Sequence, residues 1–208
     1  MINKGAMFGL DARIALAIFG ALSIISGAAL YSAIQESRLV AIHQSLIEVA
    51  KAYESHYIDT GEHTSGCHLF MNDMPDPANN HSGWKGPYLS GSCNGSVMQY
   101  YDEKIYALLA TNPNEVLSSN VFTRHSINST APGEMWVIGA CASDDDCAAY
   151  YYGTIAKTKA KSITEVENQL NIIDKHIDDG DGKFAGKFRF YTGSGASYWW
   201  SYKIMPKP

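Results

Sequence analysis

The sequence predicts an α+β protein in which a long N-terminal α-helix, membrane-spanning in its first half, packs on a C-terminal antiparallel β-sheet domain. Three observations predict this fold: an uncharged apolar segment near the N-terminus, a helical periodicity that continues directly from it, and short segments rich in β-branched and aromatic residues further on. The 208 residues suffice for one ordinary globular domain with an attached helix.

The apolar segment runs from Ile14 to Ile34 and contains no charged residue. At a rise of about 1.5 Å per residue it reaches roughly 30 Å, the thickness of a bilayer core. A cleaved signal peptide is the alternative, although this run is longer than the apolar core of a signal and no small-residue cleavage site ends it. Lys4 and Arg13 flank the N-terminal end of the run, so we expect this end to stay in the cytoplasm and the C-terminal part to be exported.

Beyond the apolar segment, large side chains recur at spacings of three and four, which indicates one buried helix face. They are Leu39, Ile42, Leu46, Val49, Tyr53 and Tyr57. We therefore predict one continuous helix from about residue 12 to about residue 58. Residues 7–35 form its hydrophobic part and residues 36–60 its amphipathic continuation, and residues 61–208 form the globular α+β domain.

Within the globular domain, a loop-like connection after Gly61 precedes segments whose residues favour strands. These are VMQYYDEKIYALLAT (97–111), MWVIGACA (135–142), AAYYYGTIA (148–156), KFRFYTG (187–193) and SYWWSYKI (197–204). The segment SITEVENQLNIIDKHID predicts a helix, with Ser162 as its N-cap and Glu165 completing a capping box. We interpret the YWWSY aromatics as packing residues, with a carbohydrate-binding surface as the alternative.

The four cysteines allow three disulfide pairings, among which the sequence does not choose. Cys141 and Cys147 enclose a short loop that suits a local disulfide, which would leave Cys67 to join Cys93. An even number of cysteines agrees with an oxidising compartment. A metal site is the alternative, but the spacings contain no C-x-x-C pair.

Three further features resemble one family. An acid, Asp11, precedes the apolar segment, GWKGPYL occupies residues 83–89, and IDKHIDDGDGKFAGKFRF occupies residues 173–190. Together they resemble type IV pilins and the pseudopilins of type II secretion. The resemblance implies a leader at residues 1–6, removed by a prepilin peptidase between Ala6 and Met7, which makes Asp11 the fifth mature residue.

This sequence departs from the family pattern at both of these positions, since the family has glycine before the cut and glutamate at the fifth position. Cleavage after Gly5 would restore the glycine but place Leu10 fifth. In the family the fifth-position acid helps assembly, which implies that Asp11 pairs with a free N-terminal amine. The alternative is an N-cap or first-turn acid that the helix dipole favours.

The resemblance implies a non-enzymatic structural subunit of a type IV pilus-like extracellular filament. Its partners would be copies of itself and related pilins, the prepilin peptidase, the inner-membrane assembly machinery and, before assembly, membrane lipid. Its location would be the bacterial inner membrane and then an extracellular filament or periplasmic pseudopilus. The alternatives are a pseudopilin of a type II secretion system and, from another class, a single-pass membrane-anchored carbohydrate- or protein-binding domain.

This interpretation requires no cofactor. The sequence does contain one candidate calcium site, in an acidic turn near the C-terminus. Asp178, Asp179 and Asp181 offer closely spaced oxygen donors in a flexible turn, and related pseudopilins hold calcium in a C-terminal loop. The alternative is a solvated acidic turn. We expect the seven histidines to be surface or core residues rather than ligands. A net charge of −5 gives no basic footprint for nucleic acid.

Overall fold

The computed structural model describes residues 7–63, 67–70, 80–91, 93–94, 97–98, 103–111, 123–128, 148–193 and 196–206. The predicted leader at residues 1–6 lies outside them. The chain divides into two compact units, Met1–Val40 and Ala41–Pro208. This division falls within the predicted helix.

The helices are α1 (Met7–Thr60), α2 (Glu103–Leu109) and α3 (Ile163–Asp178), and a 3₁₀ helix spans Cys67–Leu69. The strands are β1 (Cys93–Asn94), β2 (Val97–Met98), β3 (Thr123–Asn128), β4 (Ala148–Ala156), β5 (Phe188–Tyr191) and β6 (Ser197–Pro206). The α+β layout predicted from the sequence is therefore confirmed.

Helix α1 is one continuous element of 54 residues, as the periodicity predicted. In the first unit its large apolar side chains are exposed, and they include Ile14, Leu16, Ile18, Phe19, Leu22, Ile24, Ile25, Leu30, Tyr31 and Ile34. By length and composition, α1 is a helix that could cross a membrane.

In the second unit α1 carries the predicted buried face. Ile42, Leu46, Val49 and Tyr53 are each at most 1% exposed, which accounts for the spacing of three and four in the sequence. The imidazole of His43 lies 5.9 Å from the His176 ring of α3 and 6.4 Å from the Tyr202 ring of β6, measured between centroids. This part of α1 therefore contributes to the core of the globular domain.

The sheet has the order β1-β2-β3-β4-β6-β5, and the described strand pairs are all antiparallel. The longest ladder joins β4 to β6 and carries an irregularity between Ala149 and Tyr150. Its largest core side chain is Trp200, which is fully buried and meets the Tyr151 ring edge-on at a centroid distance of 5.4 Å. Phe188 and Phe190 of β5 complete this aromatic layer.

Among the described residues of the strand predicted over residues 97–111, Val97–Met98 is extended but Glu103–Leu109 is helical, so the prediction is wrong for this second part. Ile105 and Leu109, one helical turn apart, are both fully buried. The buried residues of this segment therefore follow the period of a helix and not the alternation of a strand. The strands predicted at 148–156, 187–193 and 197–204 are confirmed as β4, β5 and β6. The strand predicted at residues 135–142 lies outside the described residues, and β3 was not predicted.

Candidate functional site

The first candidate region is the start of α1. The helix begins at Met7, so Asp11 lies one turn inside it, and no acid occupies the first turn. The interpretation of Asp11 as an N-cap or first-turn acid is therefore wrong. Asp11 and Arg13 are both exposed. Ala6 lies outside the described residues, as does the side chain of Met7, so their role in processing stays a prediction.

Among the described residues, the glycines of the apolar part of α1 have no neighbour that requires a glycine. A Cβ atom added at Gly20 or Gly27 would meet nothing within 4 Å. A glycine inside a helix costs about 1 kcal/mol relative to alanine. No described neighbour offsets this cost, and the open space permits close packing against another helix.

The second candidate region is a cluster of three carboxylates at the C-terminal end of α3: Asp174, Asp178 and Asp181. One carboxylate oxygen of each lies within 4.8 Å of one oxygen of the other two. Asp174 and Asp178 are four residues apart and share a helix face. Left-handed backbone at Asp179 (φ 67°) and at Gly180 (φ 76°) then ends the helix and returns Asp181 to the first two.

The backbone already satisfies part of this carboxylate cluster. The Lys187 and Phe188 amides donate to Asp178 Oδ2 over 2.5 and 2.9 Å, and the Gly182 amide donates to Asp174 Oδ2 over 3.3 Å. The other oxygens of Asp174 and Asp178, both Oδ1, are buried and have no hydrogen bond of ordinary geometry to the described part of the chain. Two buried, unpartnered carboxylate oxygens beside a third acid form an arrangement that a cation would complete.

Burial, together with the neighbouring Asp178, raises the pKa of Asp174 to about 6. The side chain is only 1% exposed, so its charge is poorly hydrated. Gly186 makes room for the neighbouring acids, because a Cβ there would lie under 3.0 Å from oxygens of Asp178 and Asp181. Its φ of +66° also favours glycine. Carboxylate oxygens suit calcium, magnesium or manganese better than zinc or copper.

Of the three calcium ligands predicted from the sequence, the structure brings Asp178 and Asp181 together and adds Asp174. Asp179 is exposed, forms the left-handed C-cap of α3 and is not a member of this group. The sequence signal for Asp174 was present in its spacing of four residues from Asp178. The turn from Asp178 to Asp181 does not by itself include Asp174, which lies inside α3.

The GWKGPYL segment is fixed on the end of α1. The Trp84 indole donates to the His68 carbonyl over 2.6 Å, and the Tyr88 hydroxyl donates to Asp59 Oδ2 over 2.9 Å. Lys85 forms an ion pair with the other oxygen of Asp59 over 2.9 Å. The hydrogen bonds of Lys85 and then of Tyr88 lower the pKa of Asp59. Tyr88 is therefore bonded to α1, whereas Trp84 is bonded to the 3₁₀ helix.

A group of three histidines, His56, His68 and His81, was missed by the sequence analysis. It joins the end of α1, the 3₁₀ helix and the residue two positions before GWKGPYL. Burial, followed by the neighbouring His81 and His68, lowers the pKa of His56 to about 4. The sequence held no signal for this histidine cluster, because its members are far apart in the chain and follow no ligand spacing.

The cysteine and aromatic predictions have different outcomes. Cys67 is fully buried and disulfide-bonded. The side chains of Cys93, Cys141 and Cys147 lie outside the described residues, so the pairings stay predictions. In the YWWSY cluster, Tyr198, Trp200 and Tyr202 are at most 5% exposed, which supports packing over a carbohydrate-binding surface.

Comparisons with known proteins bring no family to this chain. No protein-family model, curated protein or solved structure matches it. The likeness to pilins and pseudopilins therefore rests on the residues named above.

Proposed function

We propose that this protein is a structural subunit of a type IV pilus-like extracellular filament, held in the bacterial inner membrane before assembly and assembled through its N-terminal helix. The observation that carries the proposal is the change in exposure of the apolar side chains along α1. One helix continues from a segment whose apolar side chains are exposed, between Ile14 and Ile34, into turns whose apolar side chains are buried in the domain.

An exposed apolar helix needs either lipid or protein around it, and a filament subunit uses both in turn. In the bilayer the helix satisfies its own backbone groups, so insertion is feasible. In a filament core, neighbouring helices replace the lipid, and small residues permit their close approach. The open space at Gly20 and Gly27 supports this second environment.

Asp11 is proposed to fix the register of assembly. A carboxylate at the edge of an apolar helix is costly without a partner. In the proposed filament its partner is the free amine of Met7, created by cleavage after Ala6. No catalytic function and no nucleic-acid partner are part of this proposal.

A pseudopilin of a type II secretion system is the second candidate, and the carboxylate cluster favours it. The cluster lies at the turn after α3 where the resemblance to pseudopilins implies calcium, and its buried, unpartnered oxygens fit that ion. The two candidates differ in where the filament ends. A pilus reaches the outside of the cell, whereas a pseudopilus stays in the periplasm.

The test is to shear the surface of producing cells and analyse the released material by electron microscopy, N-terminal sequencing and intact mass. We expect filaments whose subunits begin at an N-methylated Met7. The Asp11→Ala variant should still be present in membranes but absent from the sheared fraction. The Asp11→Glu variant is the matched control and should assemble, because it restores the carboxylate.

An unprocessed chain beginning at Met1, confined to membranes and monomeric, would refute the filament proposal and support a membrane-anchored binding domain. Processed subunits found in the periplasm and never in the sheared fraction would select the pseudopilin instead.

A further inference from the structure

Three histidines from separate segments converge beside the end of α1. His56 lies in the last turns of the helix, His68 in the 3₁₀ helix and His81 just before GWKGPYL. One ring nitrogen of each lies within 4.8 Å of one nitrogen of the other two. His56 is fully buried, His68 is 5% exposed, and the side chain of His81 is 12% exposed. We propose that the histidine cluster binds one divalent transition-metal ion, with zinc as the preferred ion.

The separation of the nitrogens is close to that of ligands on one metal. Nδ1 of His81 lies 3.0 Å from Nε2 of His56. Two nitrogens bound to a tetrahedral zinc ion at about 2.0–2.1 Å would lie about 3.3 Å apart. This pair therefore needs only a small displacement to admit the ion. The His68 ring is stacked on that of His81, with 3.7 Å between centroids, which keeps the third imidazole beside them.

The other ring nitrogen of His81 has the neighbour that a metal ligand commonly has. Nε2 of His81 lies 3.5 Å from the Glu62 carboxylate, on the nitrogen that does not contact His56. Histidines that bind metals usually direct their second nitrogen to a carboxylate or carbonyl, which fixes the tautomer and the ring orientation. Glu62 is thus assigned a positioning role rather than that of a ligand.

The chemistry of the donor atoms selects the class of ion. Imidazole nitrogens suit zinc, copper and nickel and do not suit calcium. Three protein ligands would leave one zinc position for water or an external ligand.

A metal here would add to the bonds that already join these three segments. The His68 carbonyl already accepts from Trp84, and the neighbouring Cys67 is disulfide-bonded. An ion held by His56, His68 and His81 would add a bond from each segment to a common centre. We therefore expect the metal to raise the thermal stability of the protein, since only the folded chain brings the three ligands together. The inference is independent of the filament proposal.

The experiment uses the full chain, purified in detergent without a histidine tag and stripped of metal with a chelator. Zinc is titrated by calorimetry, and cobalt(II) is added in parallel because its visible absorption reports tetrahedral coordination. We expect one ion per chain, an intense cobalt spectrum and a higher melting temperature with zinc. In imidazole nitrogen NMR spectra, zinc should shift the signals of three of the seven histidines.

Two variants and one control assign the site. His81→Gln changes the most exposed of the three ligands and should reduce zinc binding to background. Glu62→Gln leaves all ligands in place and should weaken binding about 10- to 100-fold. His63→Gln is the matched control, because it removes an exposed histidine of the same region and should bind zinc like the wild type.

Failure of the wild-type chain to bind zinc, or equal binding by His81→Gln and the wild type, would overturn the proposal. If His81→Gln does not fold, the NMR count on the wild-type protein decides instead. Signals shifted for histidines other than His56, His68 and His81 would then refute the assignment.

Discussion

At position 153, one neighbouring side chain explains why the residue is a glycine. It pairs with Trp200 across the β4–β6 ladder, and a Cβ added at Gly153 would lie under 3.0 Å from three atoms of the indole ring. Glycine is normally unfavourable inside a strand. Here its missing side chain leaves space for Trp200, the largest fully buried side chain of the core.

The carboxylate of Glu167 links α3 to the chain that follows it through two hydrogen bonds. Its carboxylate accepts from Lys183 over 2.5 Å and from the Thr192 hydroxyl. The Lys183 hydrogen bond, followed by that of Thr192, lowers the pKa of Glu167. Both charged side chains are partly exposed, so the contribution to stability is modest.

We predict that Glu167→Gln lowers the free energy of unfolding at neutral pH by roughly 0.5–1 kcal/mol, because the charged acceptor is lost. A lowered pKa in the folded state stabilises the protein above the unfolded value of 4.5 and loses this effect as the pH falls through the folded value. The difference from the wild type should therefore shrink below pH 4.5. Urea unfolding at several pH values measures it.

Glu48→Gln is the control, since Glu48 is an exposed acid of α1 with one long hydrogen bond to Gln44. It should leave stability unchanged at each pH. A Glu167→Gln penalty that stays constant down to pH 3 would exclude the charge of Glu167 as its origin.

At the scale of elements, α3 is terminated by a different structural feature at each end. Its N-terminus is closed by a capping box, in which Ser162 accepts from the Glu165 amide and Glu165 accepts from the Ser162 amide. Its C-terminus has the left-handed Asp179 and the carboxylate cluster. A cation is favoured at this end because the helix dipole is negative there.

We predict that millimolar calcium raises the melting temperature of the protein by several degrees and that a chelator reverses the change, since the ion binds only the folded carboxylate cluster. Asp174→Asn should lose this response. It should also raise the melting temperature of the calcium-free protein, because it removes a buried charge beside Asp178. Differential scanning calorimetry with and without calcium measures both effects.

Asp179→Asn is the matched control in the same turn, and asparagine also tolerates the left-handed backbone found there. It should keep the full calcium response. Loss of that response in Asp179→Asn but not in Asp174→Asn would restore the ligand set predicted from the sequence, and a melt unaffected by calcium would remove the site.

At the scale of the whole molecule, the two units have different surfaces. Among the described residues, the unit Met1–Val40 exposes large apolar side chains, whereas the unit Ala41–Pro208 buries a core drawn from α1, α3 and the sheet. The apolar surface of the first unit requires lipid, detergent or other protein chains.

We predict that residues 41–208 fold in detergent-free buffer as a soluble monomer with the same urea midpoint as the full chain in detergent, because the core side chains of the described residues lie between Ile42 and Tyr202. The full chain should require detergent. Sedimentation and circular dichroism measure these properties. Aggregation or loss of structure in the 41–208 chain would show that the first unit is needed for folding.

The sequence by itself determined the elements whose pattern is local. The apolar run, the spacing of Ile42, Leu46 and Val49, the Ser162 capping box and the strands β4 to β6 are each encoded within a few neighbouring residues. Such patterns are readable because helix and strand periods recur in adjacent turns and pleats. The helix α2 was misread because its aromatic and β-branched residues favour strands, while its burial follows a helical period.

Only the tertiary structure decided which polar residues meet. Asp174 joins Asp178 and Asp181 because a left-handed turn reverses the chain, and Asp179 is left outside. His56, His68 and His81 meet although they come from different segments. Contacts of this kind depend on where the backbone returns, which no local pattern specifies. The sequence therefore determined α1 and its exposed apolar half, and the folded chain determined both candidate metal sites.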